Sequence, residues 1–235
     1  MPRALVLEHD AHVPAGLLAE WAVARSWTLA TVRLHAGERP PASLDGYHRV
    51  VSLGSEASAD DESVRWQAEE RRALATAVEA DVPVLGICFG GQSLALALGG
   101  GVRRAARPEI ADWTPIETAN PGLIGPGPWF TWHDDEMLPP EGAEILARNH
   151  SGVQAWRLGP HVALQFHPET SLELVDMWLG MADEPRIPAD LRERTVELGP
   201  ALRERAFALF DAVLAGTATR GEGLGADRRT AASAR

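Results

Sequence analysis

The chain has 235 residues, 45% of them hydrophobic, and a formal charge of −11, enough sequence for one α/β domain with a sizeable core. That negative balance argues against nucleic-acid and anionic-membrane partners, and no stretch reaches the roughly 18 apolar residues of a membrane span. A single cysteine excludes a disulfide framework or a cysteine-rich zinc site, and the absence of lysine (all 22 basic residues are arginine) excludes a P-loop lysine or a lysine Schiff base.

Strand-like and helix-like runs alternate through the first hundred residues. "RALVLEH" (3–9) reads as a buried strand rather than a signal peptide, so a cytoplasmic protein is expected. A helix over 14–26, a strand over 28–34 and a strand over 48–54 follow. Residues 61–80 read as a long amphipathic helix with Asp60, Asp61 and Glu62 biased to its start, and 82–87 as a fourth strand. This βαβα order predicts a mainly parallel sheet flanked by helices, with functional groups at the carboxyl ends of its strands.

Between about 101 and 166 the rhythm breaks into short strand-like segments split by Pro and Gly: 112–118, 125–133, 143–149, 153–159 and 161–167. These predict a small antiparallel excursion that returns to the main sheet at "VALQFH". Helices are expected over 170–182 and 187–215. The domain is expected to span 1–215, with 216–235, which are small, polar and Gly/Ala-rich, as a disordered tail.

Gly86-Ile87-Cys88-Phe89-Gly90 has the form of a nucleophile elbow, in which a tight strand-to-helix turn exposes the reactive side chain. A helix following at about 91–98 would aim its positive end at the sulfur and favour thiolate. A buried structural cysteine is the competing reading of this motif alone. In "QFHPET", His167 and Glu169 stand two apart at a strand end and so project to one side, suiting a base and the group that orients it. Taken singly they also fit a surface histidine and a helix-start glutamate, while H-x-E lacks the further ligands of a metal site. Acyl transfer from a thiolate also needs N–H donors for the oxyanion. Phe89, next after the nucleophile, would supply one, and Gly54, after the third strand, is placed for the other.

With these elements assembled, the chain resembles the class I (triad-type) glutamine amidotransferase family, in particular the stand-alone proteins similar to the amidotransferase domain of GMP synthetase. "PVLGICFGGQSLALALGG" and "VALQFHPET" carry the resemblance, supported by "PEIADW" and "WHDDEMLPPEGAEILARN". It implies a flavodoxin-like fold with Cys88 as nucleophile, His167 as general base and Glu169 as orienting carboxylate. It also implies that Gln92, Trp132 and His133 help hold L-glutamine, that the amide is hydrolysed through a γ-glutamyl thioester without metal or cofactor, and that ammonia passes to a separate synthetase partner. The family's oxyanion loop usually reads Gly-Gly-Pro or Gly-Pro-Gly, whereas this chain has Leu53-Gly54-Ser55. The departure is expected to loosen the loop or shift substrate preference. A γ-glutamyl hydrolase acting on a larger compound and a non-catalytic regulatory protein on the same fold are the alternatives.

Among the remaining residues, Trp113 and Trp129 read as core or interface, and Asp134 and Asp135 as solvated or turn-forming. His133 fits an exposed loop as well as a substrate contact. His9, His12, His35, His48, His150 and His161 lack partner spacing and read as structural or surface.

Overall fold

The computed structural model describes residues 1–181 and 187–216, and only the backbone of 108–110. In chain order its elements begin β1 (Arg3–Glu8), α1 (Gly16–Ala24), β2 (Thr28–Arg33), β3 (Arg49–Ser52), α2 (Gln67–Glu79), β4 (Val84–Ile87) and α3 (Phe89–Ala97). Then come β5 (Gly101–Thr114), β6 (Glu117–Thr118), β7 (Trp129–Leu138), β8 (Glu144–Asn149), β9 (Gly152–Leu158), β10 (His161–Leu164), α4 (Leu172–Gly180) and α5 (Leu191–Phe210).

The main sheet has eight strands in the order β2-β1-β3-β4-β10-β9-β8-β6. Its first five are parallel and the last three antiparallel. The parallel half has the flavodoxin-like order, which places a crevice at the carboxyl ends of its strands. β4 and β10 are buried at every residue, which is why they read as unbroken apolar runs. α1 and α5 cover one face through Trp21, Phe207 and Phe210, and α2 and α3 the other through Leu74, Ala77 and Leu94. Each leucine or phenylalanine among them contributes about 1.5–3 kcal/mol when fully buried. Trp113 and Trp129 are core residues, as read from the sequence.

The expected small antiparallel excursion is the separate two-stranded ladder of β5 and β7, while β8, β9 and β6 extend the main sheet. Residues 101–111 belong to β5, whose arginine pair (Arg103, Arg104), proline and two register shifts hide the alternation of a strand. The helix expected from 61 starts at Gln67, because Asp61 accepts the Ser63 N–H and holds a turn there. The helix expected over 187–215 starts at Leu191, breaks at Gly199 (φ 36°) beside Pro200, and ends in a π-helical turn over Asp211–Ala215. Residue 182 of the preceding helix and residues 217–235 of the expected tail lie outside the described residues. Among the described residues no helix is long and apolar enough to cross a membrane.

Candidate active site

Cys88 sits where β4 turns into α3, with φ 50° and ψ −110°, a region that costs a non-glycine residue about 1–3 kcal/mol and persists only where its surroundings enforce it. Here they do. The Cys88 N–H donates to Leu164 O at 2.8 Å and the Gly90 N–H to Leu53 O at 3.0 Å, so β10 and the end of β3 grip the turn from both sides. A Cβ at Gly90 would fall 2.1 Å from Ser52 O, so this approach requires glycine. The thiol is buried at 5% exposure, with the Gln165 amide donating to Sγ at 3.7 Å.

His167 follows β10, and its N–H donates to Phe130 O at 2.8 Å. Its Nδ1 lies 2.7 Å from Glu169 Oε1, and its ring lines the same cleft as Cys88, whose thiol donates to Trp132 O at 3.9 Å. Burial alone would lower the pKa of this imidazole. The Glu169 carboxylate, then Cys88, by charge and hydrogen bonding, outweigh burial and raise it well above the ordinary histidine value. Glu169 is fully buried, and its carbonyl accepts the Leu17 N–H at 2.8 Å, tying the segment to the start of α1. The three residues expected to act together are thus assembled side by side.

Gly54 lies against the Cε1–Nδ1 edge of His167: a Cβ there would lie 2.9 Å from His167 Cε1 and 3.0 Å from Val13 Cγ1. The preceding Leu53 is fully buried, its side chain in the core and its N–H bonded to Leu7 O at 3.1 Å. The extra side chain therefore anchors the loop and does not enter the site. Phe89 begins α3, whose first-turn N–H groups have no partners within the helix. Its ring points away from the cleft and packs against His9 and Trp66 at 4.9 and 5.3 Å.

A cleft of ≈ 430 Å³ opens above Cys88 and His167, and Gln92, Trp132 and His133 line it. Gln92 donates through Nε2 to Asp135 O at 3.1 Å, and His133 Nδ1 lies 2.9 Å from the same carbonyl. A carbonyl can only accept, so His133 carries its proton on Nδ1. Burial pushes its pKa down to about 4, against the pull of the Asp135 carbonyl. His133 is accordingly a neutral buried residue, not an exposed loop histidine, and its Nε2 has no hydrogen-bond partner among the described residues. Asp135 accepts from Ser58 Oγ at 2.5 Å and, like Asp134, faces Arg104, so neither acid is simply solvated.

Sequence reading missed part of the wall. Trp178 of α4 lines the cleft, stacks on Phe130 with ring centroids 5.0 Å apart, and meets Trp132 and His167 edge-on at 5.9 and 6.4 Å. Its indole N–H donates to His12 O at 2.7 Å, bringing the loop after β1 into the site. No local spacing marks Trp178 or His12, which meet only through the fold. Among the described residues no cluster of three or more His, Cys, Asp or Glu side chains could hold a metal ion.

Residues 44–178 match the family model described as glutamine amidotransferase class-I. The chain is 34% identical over 175 residues to a glutamine-hydrolysing GMP synthase of Aeropyrum pernix, covering 67% of this chain and 34% of that one. It is 40% identical over 95 residues to one subunit of the glutamine-hydrolysing GMP synthase of Ignicoccus hospitalis, covering 37% and 50% respectively. The chain thus matches a third to a half of the length of these relatives. In fold it is similar to the crystal structure of a glutamine amidotransferase from Thermotoga maritima, with a TM-score of 0.83, 24% identity, and coverage of 90% and 97%.

Proposed function

The chain is a member of the class-I glutamine amidotransferase family, and from that premise we propose that it hydrolyses the side-chain amide of L-glutamine and passes the ammonia to a separate acceptor-synthesising partner. The observation that carries this reading is the convergence on one cleft of Cys88, on its enforced positive-φ corner, and a His167 whose pKa is raised and whose Nδ1 is held by Glu169.

In this mechanism His167 holds the thiol proton and Cys88 Sγ attacks the γ-carboxamide carbon. The carbonyl oxygen becomes an oxyanion facing the N–H groups of Phe89 and Gly54, each worth on the order of 3 kcal/mol in the transition state. As the C–N bond breaks, the proton on His167 moves to the departing nitrogen and ammonia leaves. A water, giving its proton to His167, then cleaves the γ-glutamyl thioester and restores the thiol, with glutamate as the second product. Glu169 keeps the ring aligned and stabilises its charged form. Gln92 acts by holding the Asp135 carbonyl and with it the Trp132–His133 segment along the wall of the cleft that takes the substrate's α-amino and α-carboxylate groups.

The Ignicoccus relative is itself one subunit of a GMP synthase, which supports a separate partner for this chain. A catalytic thiol persists reduced in the cytoplasm, which is where we place the protein. Incubating the purified chain with L-glutamine is expected to release glutamate and ammonia in equal amounts. Release from a larger γ-glutamyl amide but not from glutamine would instead establish the γ-glutamyl hydrolase reading, and release from neither would refute both.

A further inference from the structure

Beneath the elbow, on the side away from the cleft, lies a buried polar cluster that the mechanism above does not use. Glu70, on α2, is fully buried within an otherwise core-facing stripe that includes Ala73, Leu74 and Ala77. A buried carboxylate is expensive unless its lone pairs are satisfied, and each oxygen here accepts a hydrogen bond from another element, with a histidine close by. Ser52 Oγ, at the end of β3, donates to Oε1 at 2.5 Å, and Ser93 Oγ, in α3, donates to Oε2 at 3.2 Å. His9, just past β1 and 3% exposed, places Nε2 3.1 Å from Oε1, off the line of a good hydrogen bond.

These contacts lead to both proposed oxyanion donors. Ser52 is two residues before Gly54, and Leu53 between them accepts the Gly90 N–H at 3.0 Å. Ser93 lies in the same helix that Phe89 opens. The His9 ring packs on Phe89 at 4.9 Å and on Trp66 at 4.8 Å, so the face of Phe89 opposite the cleft is held by the same cluster. Glu70 and His9 do not line the cleft.

We propose that Glu70, with His9 and Ser52, is a positioning residue for the reaction: it locks the Gly54 loop against the start of α3 and so fixes the spacing between the two oxyanion donors. This rests on the glutaminase reading above. An apolar residue at 70 would fill the stripe without the desolvation cost, but it would leave the loop and the elbow free to shift relative to each other. Donors stabilise an oxyanion only when held in place beforehand, and a misplacement of about 1 Å costs on the order of a hundredfold in rate.

The test compares wild type with Glu70→Gln, which keeps the shape but removes one acceptor oxygen, and with Ser52→Ala, which removes one hydroxyl. Three readouts are taken: steady-state glutamate release, thermal melting, and the rate at which iodoacetamide alkylates Cys88. Alkylation displaces iodide from a saturated carbon and builds no oxyanion, so it reports on the thiol alone. In both variants kcat is expected to fall roughly tenfold to a hundredfold with KM within about twofold of wild type. The alkylation rate should stay within about twofold, a margin small beside the loss in kcat, and both variants should melt cooperatively. An unchanged kcat in the folded variants would overturn the proposal. Alkylation falling in step with kcat would overturn it too, by moving the effect to the thiol. A wild-type chain that is alkylated at Cys88 yet releases no glutamate would instead overturn the glutaminase reading beneath it, and the proposal with it.

Discussion

Replacing Cys88 with alanine is expected to lower glutamate release from glutamine by about 10⁴-fold or more while leaving the protein folded. The alternative to the thiol is direct attack by water on an unactivated amide, assisted only by the oxyanion donors and by binding. Those groups sustain a small residual rate, because they act on the charge of the tetrahedral state whatever nucleophile made it. Stability should change by only about 1 kcal/mol. Alanine bears the same positive φ as cysteine, and the hydrogen bonds that enforce the corner run through the backbone N–H groups of residues 88 and 90. Glutamate production measured beside a thermal melt separates the two effects. A folded Cys88→Ala protein that retained more than a few per cent of wild-type release would remove the thiol from the mechanism.

Glu169→Gln is expected to reduce kcat by roughly 10³–10⁴-fold and to move the alkaline limb of the pH–rate profile to lower pH. His167 has its pKa raised because Glu169 and Cys88 overcome the burial of its ring. With the carboxylate ionised, the imidazolium that must protonate the departing nitrogen survives to higher pH. Without that charge, burial dominates and the ring loses its proton sooner. The same shift governs stability. A folded-state pKa above the unfolded one gives a contribution that is complete below the unfolded value of about 6.5 and is lost as pH rises through the folded value. In Glu169→Gln that window should narrow from its alkaline side. Melting temperatures and initial rates across pH would show both effects, and a limb that stayed in place would mean that Glu169 does not set the His167 pKa.

The parts of the site legible in the sequence are those whose chemistry is written locally. Cys88 between close glycines announces a turn that few other residues tolerate, and the structure gives the reason in the 2.1 Å that a Cβ at Gly90 would leave to Ser52 O. His167 and Glu169 are two apart, so strand geometry alone puts them on one side. The centre of the parallel sheet is equally readable, because β4 and β10 are buried on both faces and so are apolar runs, whereas the edge strand β2 is only partly buried. Other features depend on where distant segments meet. Trp178 reaches the cleft only because α4 packs over β7, and the sequence leaves His133 between an exposed loop and a substrate contact because its burial comes from the fold. Glu70 shows its burial only once its helix is laid against β3 and α3. β5 escaped notice because its bulges and proline break the alternation that marks a strand.

The most direct test of the account is to quench the wild-type protein in acid during turnover of L-glutamine and to weigh the peptide that carries Cys88. A fraction of that peptide is expected to be heavier by one γ-glutamyl group, labile to hydroxylamine, and the adduct is expected to be absent from Cys88→Ala. Steady turnover with no adduct on Cys88 under rapid quenching, or with the γ-glutamyl group on another residue, would contradict the account.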